Sequence, residues 1–359
     1  MVSLAQPIAA PSVTGTDQDL IGCLGWSVRT SRIPRTLRAI RFQFLGVLAR
    51  HISCANEQHC KSHLLAVSKS RIIYNRSIAG PPRVKRNMPC LSLPGVNLLY
   101  ETLGSGPLLL CITGADGRGS VWKPLAQELS EHHTVAYYDR RGFSGSIITG
   151  AQDYSDRLNT DADDAASLIA HLSPDAGATV VGNSSGAIVG LNLLLKYPAR
   201  VLNLVCHEPP AFGALPPHVQ AMGAGTVNHI YDVYTKSGPI AAMDAFVGGL
   251  AVTKEGALMQ SLMHPGHSHE IRANAQFWFQ FELRQYPTSK VDVAGLIALK
   301  DKFVPAAGTD SGDEVSVAPI ASIASAMGKD IIRLPGGHLG FISEPKAWAR
   351  GLLMSTGRD

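Results

Sequence analysis

The sequence predicts an α/β protein: a doubly wound, mostly parallel sheet covered by helices on both faces, with an inserted helical cap. Three observations carry this. Between residues 89 and 359, short apolar runs alternate with longer runs of helical spacing, the pattern of repeated strand–helix–strand units. One such run, Pro107 to Ile112, is apolar throughout, as a strand buried on both faces requires. From residue 211 to residue 288 the alternation breaks and the spacing turns mostly helical, which predicts the cap.

Composition narrows the class. A chain of 359 residues with 45% apolar content and a mean hydropathy of +0.07 has material for a sizeable globular core. No apolar run reaches the roughly 18 residues of a membrane-spanning helix, so no membrane span is expected. The net charge of +4 conceals an asymmetry: residues 1–88 hold 13 Lys+Arg against 3 Asp+Glu, and the remainder holds 19 against 25. A mildly acidic body behind a basic leader gives no support to a nucleic-acid partner.

The leader stands apart from the rest. Arg29, Arg32, Arg35, Arg38 and Arg41 recur every third residue, and no acid lies between Leu20 and Asn56. Leu37, Ile40, Phe42, Leu45 and Leu48 fit one face of an amphipathic helix. Residues 1–88 therefore read as a targeting segment of mitochondrial type or as a disordered extension, with no chemistry of their own. The six cysteines show no C-x-x-C spacing, and Cys111 and Cys206 fall within apolar strand-like runs. Reduced, buried thiols follow, and with them a cytoplasmic setting, a mitochondrial one being the alternative.

The folded unit, 89–359, opens with strands at 91–93 and 96–101 around Pro94-Gly95, a hairpin signal. The apolar strand ending at Ile112 empties into Thr113-Gly114-Ala115-Asp116-Gly117, and a helix follows over 121–130. The strand at 134–138 ends in Asp139-Arg140-Arg141-Gly142. Helical spacing runs from 155 to 172, with Asp161, Asp163 and Asp164 expected on its solvated face. The strand at 201–206 ends at His207-Glu208-Pro209-Pro210. In the cap, Phe277, Trp278, Phe279 and Phe281 read as cap core. A strand at 303–307 ends at Thr309-Asp310, a helix occupies 317–327, and the last strand, 330–334, exits through Gly336-Gly337-His338. Pro345 opens the final helix.

The chemistry centres on residues 178–200. An apolar strand, 178–181, runs into Gly182-Asn183-Ser184-Ser185-Gly186, and a helical run follows until Pro198 stops it. A G-x-S-x-G between strand and helix holds its serine out of the sheet on a strained turn, with glycines where backbones approach. Ser184 is the expected nucleophile. In a doubly wound sheet the site forms at the carboxyl ends of the strands. Gly114-Ala115, Asp139, Ser184, Glu208, Asp310 and His338 all fall at such ends. A serine hydroxyl needs a base, and the base needs an orienting group. His338, beyond the last strand, is the expected base, and either Glu208 or Asp310 is placed to orient it. Backbone N–H groups of Ser185 and of Ala115 or Gly114 are the expected oxyanion donors.

Other features read more plainly. His264, His267 and His269 fit a solvated cap loop better than a metal site, since no carboxylate or cysteine pattern accompanies them. Gly182-x-x-x-Gly186 is followed by no lysine and is not a phosphate loop. No metal or other cofactor is expected.

These residues resemble the α/β-hydrolase superfamily over about Leu91 to Met354. The resemblance rests on Thr113-Gly114, Asp139-x-Arg141-Gly142-x-x-x-Ser146, Gly182-x-Ser184-x-Gly186 and Gly337-His338. Asn183-Ser184-Ser185-Gly186-Ala187 with Cys206-His207-Glu208-x-Pro210 is similar, more narrowly, to the fungal zearalenone lactone hydrolases and related fungal and actinobacterial hydrolases. That likeness implies an α/β-hydrolase fold and favours Glu208 as the acid. Thr113-Gly114 departs from the His-Gly that many members carry, and the cap is not closely similar, so the substrate does not carry over.

The expectation is a serine hydrolase that cleaves a small hydrophobic ester or lactone through an acyl-enzyme. C–C bond hydrolysis or cofactor-free perhydrolase chemistry would use the same triad, and a receptor on a hydrolase scaffold would use only the pocket. Ser184 argues against dehalogenase and epoxide-hydrolase chemistry, which need a carboxylate nucleophile there.

Overall fold

The computed structural model describes residues 89–249, 255–312 and 316–356. The basic leader and its helical pattern lie outside the described residues.

The chain enters through a hairpin, β1 (Cys90–Leu93) and β2 (Val96–Leu103), whose register pairs Leu93 with Val96 and Cys90 with Leu99. β3 (Leu108–Ile112) follows, buried at every position. After α1 (Lys123–Leu129) come β4 (Thr134–Tyr138), the two-residue β5 (Ile147–Ile148) and α2 (Arg157–Leu172). β6 (Ala178–Asn183), α3 (Ser185–Lys196) and β7 (Val201–His207) form one strand–helix–strand unit. The sheet resumes at β8 (Phe303–Gly308), then α8 (Val317–Met327), β9 (Ile332–Leu334), the short α9 (Gly340–Ser343) and α10 (Pro345–Ser355).

The strands lie in the order β1-β2-β4-β3-β6-β7-β8-β9, with β5 on β2. β2 runs antiparallel to β4, and every pairing from β4 to β9 is parallel. Successive side chains of a strand point to opposite faces, and β3 shows the result. Leu109 and Cys111 enter a core with Leu125 of α1 and Trp348 of α10, whereas Leu108, Leu110 and Ile112 enter one with Leu168 of α2, Leu193 of α3 and Ile320 of α8. Helices therefore cover both faces, which is why this strand carries no polar residue. Burying one such leucine contributes about 1.5–3 kcal/mol.

Between β7 and β8 the chain leaves the sheet. α4 (Pro217–Gly249), α5 (Gly256–Met263), α6 (His269–Phe281) and α7 (Val293–Ala298) occupy this stretch. α4 breaks direction at Gly238, whose φ of 85° and ψ of 178° are not helical, just before Pro239, which cannot donate the helical N–H. In the aromatic cluster, Trp278 and Phe279 are buried while Phe277 packs edge-on against Phe143. Cys111 and Cys206 are buried free thiols. No helix among the described residues is long and apolar enough to cross a membrane.

One expectation is corrected. Only Asp163 lies toward solvent; Asp161 and Asp164 are buried. Asp164 takes a bidentate pair from Arg141, and Asp161 bonds Arg140. These two arginines come from the loop after β4, so the spacing within α2 could not reveal them.

Candidate active site

The strand-to-helix turn at Ser184 is built as the motif requires. Ser184 has φ 55° and ψ −126°, a region an L-residue occupies at a cost of about 1–3 kcal/mol. Local bonds hold it there: its N–H donates to the His207 carbonyl at 3.0 Å, and its carbonyl accepts from Ala187 at 2.9 Å. Gly186 is obligatory, because a Cβ there would lie 2.1 Å from the Ile112 oxygen. Ser185 begins α3 directly behind the serine, so unsatisfied N–H groups and the positive end of the helix dipole face this point.

His338 sits beyond β9 and is 7% exposed. Its Nδ1 lies 2.7 Å from Oε2 of Glu208, a residue with no exposure at the end of β7. Oε1 of Glu208 accepts from the Gly308 N–H at 2.8 Å, and Oε2 also accepts from the Ser316 hydroxyl at 3.2 Å. Burial alone would raise this carboxyl. The His338 hydrogen bond, joined by the positive charge that His207 and His338 carry in the acid range where Glu208 titrates, outweighs burial and holds it well below its ordinary value. An ionised Glu208 accepts, so Nδ1 of His338 is the protonated nitrogen and the lone pair belongs to Nε2. Asp310 is exposed just beyond β8, where its N–H donates to the Gly336 carbonyl.

Asn183 ties these parts together. Its Nδ2 donates to the His338 carbonyl at 2.9 Å and lies 3.0 Å from Nδ1 of His207. Full burial brings His207 down to about 4, with Glu208 opposing and His338 adding to the effect, so it stays neutral as an acceptor.

The loop after β3 supplies the remaining wall. The Gly114 carbonyl accepts from Gly117 at 3.1 Å and from Nη2 of Arg140 at 2.9 Å. Because this peptide is trans, the Ala115 N–H points away from Arg140. Asp116 pairs with Arg118 at 2.8 Å, and burial raises its carboxyl against that pairing. Asp139 binds the N–H groups of Gly119 and Gly145 at 2.8 and 2.9 Å, joining two loops rather than facing the cavity.

Ser184, Ser185, His338, Gly114 and Ala115 line one cavity of about 1020 Å³ including its open mouth. The rest of its wall is largely apolar, with Phe212, Phe246, Met259, Trp278 and Phe341 among the contributors. Of the aromatic cluster in α6, Trp278 is the residue that reaches it. No group of three or more His, Cys, Asp or Glu able to hold a metal occurs among the described residues.

Four charged residues escaped the sequence reading. Arg140 and Arg157 both bind Glu282, at 2.7 and 2.8 Å, and Arg157 lies 3.1 Å from Asp161, all fully or nearly fully buried. This network ties the end of α6 to the β3 loop through Gly114. Glu255 bonds the backbone around His338. The partners of Glu282 lie 125 and 142 positions away; of these pairs, Arg157 and Asp161, four apart on α2, carry a local spacing signal.

The profile of the alpha/beta hydrolase family matches residues 109–350, and the chain belongs to that family. Among curated proteins, it is 38% identical over 123 residues to the uncharacterized hydrolase YraK of Bacillus subtilis (strain 168), a match covering 34% of this chain and 45% of YraK. The chain spans less than half the length of the curated relatives it matches. Among solved structures, it is similar to a thermophilic esterase from Thermogutta terrifontis, with a TM-score of 0.58 and 18% identity over 76% of this chain and 97% of that one. It is also similar to the enol-lactonase from Burkholderia xenovorans LB400, with a TM-score of 0.56 and 19% identity over 75% of this chain and 100% of that one. At such identities the structural likeness establishes the fold.

Proposed function

We propose that the protein is a serine hydrolase of small, neutral, hydrophobic esters or lactones, with Ser184 as nucleophile, His338 as base and Glu208 as the orienting acid. The observation that carries this reading is the buried Glu208–His338 hydrogen bond, made at an apolar cavity that the strained Ser184 also lines. In this reading Nε2 of His338 takes the hydroxyl proton as Oγ of Ser184 attacks the carbonyl carbon. The N–H groups of Ser185 and Ala115 receive the oxyanion. Collapse breaks the acyl–oxygen bond, and His338 returns the proton to the departing alcohol. A water, deprotonated by the same nitrogen, releases the acid and frees Ser184.

Asp310 takes no part in this scheme. The lactone branch draws on the sequence likeness to fungal lactonases and on the fold shared with an enol-lactonase. Neutrality of the substrate follows from the wall: the carboxylate in its lining, Asp116, is already paired with Arg118, and most other lining groups are apolar.

The test is a fluorophosphonate probe followed by a panel of p-nitrophenyl esters and aryl lactones, with Ser184→Ala as control. Labelling and turnover that disappear in the variant are expected. A wild-type protein that neither labels nor turns over any of the panel sinks the reading.

A further inference from the structure

The loop that carries His338 is intrinsically loose. Gly336 and Gly337 precede the histidine, and glycines lose more backbone freedom on ordering than any other residue. Contacts from outside the loop must therefore fix it. The sheet supplies two: Glu208 on the ring and Asn183 on the carbonyl.

The third comes from the segment between β7 and β8. Glu255, the residue before α5, places Oε1 3.3 Å from the Gly337 N–H and Oε2 2.6 Å from the Leu339 N–H. One carboxylate thus grips the peptide groups on both sides of the histidine, through charge-assisted bonds. The fit is close at 337, where a Cβ would lie 3.1 Å from the Glu255 carboxyl carbon and oblige that side chain to shift. Glu255 itself is 9% exposed, and its carbonyl accepts from Met259 at 2.8 Å, starting α5. Met259 and Met263 of that helix line the cavity. The same helical turn therefore shapes the cavity wall and holds the histidine loop.

We propose that Glu255 is a positioning residue for His338, so that seating α5 against the core and aligning the catalytic base are one event. The proposal rests on the Ser184–His338–Glu208 reading. Its consequence is selective. A misaligned His338 protonates the departing alcohol poorly, which matters most where that alcohol is a poor leaving group.

The test compares full-length wild type with Glu255→Gln and Glu255→Asp. Gln keeps the size but offers one N–H donor a competing amide, and Asp keeps the charge but cannot span both donors. Thermal unfolding first establishes that the variants fold. The low-field proton resonance of the His338 Nδ1–H is then followed, and so are the phenyl and ethyl esters of one carboxylic acid. In Glu255→Gln that proton is expected to exchange with water about tenfold faster. kcat is expected to fall about tenfold on the phenyl ester and about 100-fold on the ethyl ester, with KM held within about twofold. Glu255→Asp should fall between, and it replaces the Gln variant if the latter does not fold.

The resonance decides and needs no substrate: unchanged exchange in a folded variant overturns the proposal, whatever the kinetics. A wild type inert to both esters and to a fluorophosphonate probe would remove the hydrolase reading, while the resonance would still say whether Glu255 holds His338.

Discussion

Oε2 of Glu208 lies 2.7 Å from Nδ1 of His338, and Glu208 is shut off from solvent at the end of β7, the strand that follows the helix behind Ser184. Its backbone takes a φ of 47° to get there. Replacing Glu208 by Gln leaves the shape but lets the imidazole adopt the wrong tautomer, and kcat should fall by about 10⁴. Asp310→Asn should retain near-full activity. Steady-state kinetics on one activated ester checks both.

Glu208 also links stability to pH. Its folded-state value is depressed below the ordinary 4.5, so its contribution is fully present above about 4.5 and is lost as pH falls through the lower folded value. Urea unfolding between pH 6 and the acid range should show a steeper loss for wild type than for Glu208→Gln. Parallel curves would contradict the depressed value.

The buried network around Glu282 predicts a large stability effect. Glu282→Ala leaves Arg140 and Arg157 sharing Asp161 alone, and breaking a buried pair in this way costs about 3–5 kcal/mol. Because Arg140 also holds the Gly114 carbonyl, activity measured well below the melting temperature should fall too.

At the strand-to-helix turn, Gly186→Ala drives a methyl group against the Ile112 carbonyl. Neither partner is a flexible side chain, so the cost should reach about 3 kcal/mol or more, the upper end for overpacking. Differential scanning calorimetry measures it.

Trp278 offers a probe of what the cavity accepts. It lines the cavity and packs edge-on against Phe246, ring centroids 4.8 Å apart. Trp278→Ala should lower kcat/KM for bulky aromatic esters by roughly 10- to 100-fold and for acetates by much less. Equal losses across chain lengths would show that Trp278 supports the fold rather than the substrate.

Much of the fold was legible because its signals are local. A strand apolar at all positions, as at 108–112, must be buried on both faces, and Gly-x-Ser-x-Gly between strand and helix has few other uses. The same holds for the strand ends: Ser184, His338 and Gly114 meet in one cavity because each terminates or follows a parallel strand. What was illegible depends on charge partners remote in sequence. Asp161 looks like a surface residue from its helix alone, and Arg140, Arg157 and Glu282 become readable as a set only once α6 lies over the β4 loop. The choice between Glu208 and Asp310 was open for a related reason: neighbouring strand ends differ by ångströms of reach, which spacing does not encode.

Gly-x-Ser-x-Gly leaves two positions unspecified, and in this protein the first of them is not free. Asn183 serves the carbonyl of His338 with its amide and stands against a neutral, buried His207. Aspartate would offer no donor to either, and glutamine is a carbon too long. A library randomised at position 183 and selected for turnover should therefore return asparagine almost alone. The letter that the motif leaves blank is here the one that ties the Ser184 turn to the His338 loop.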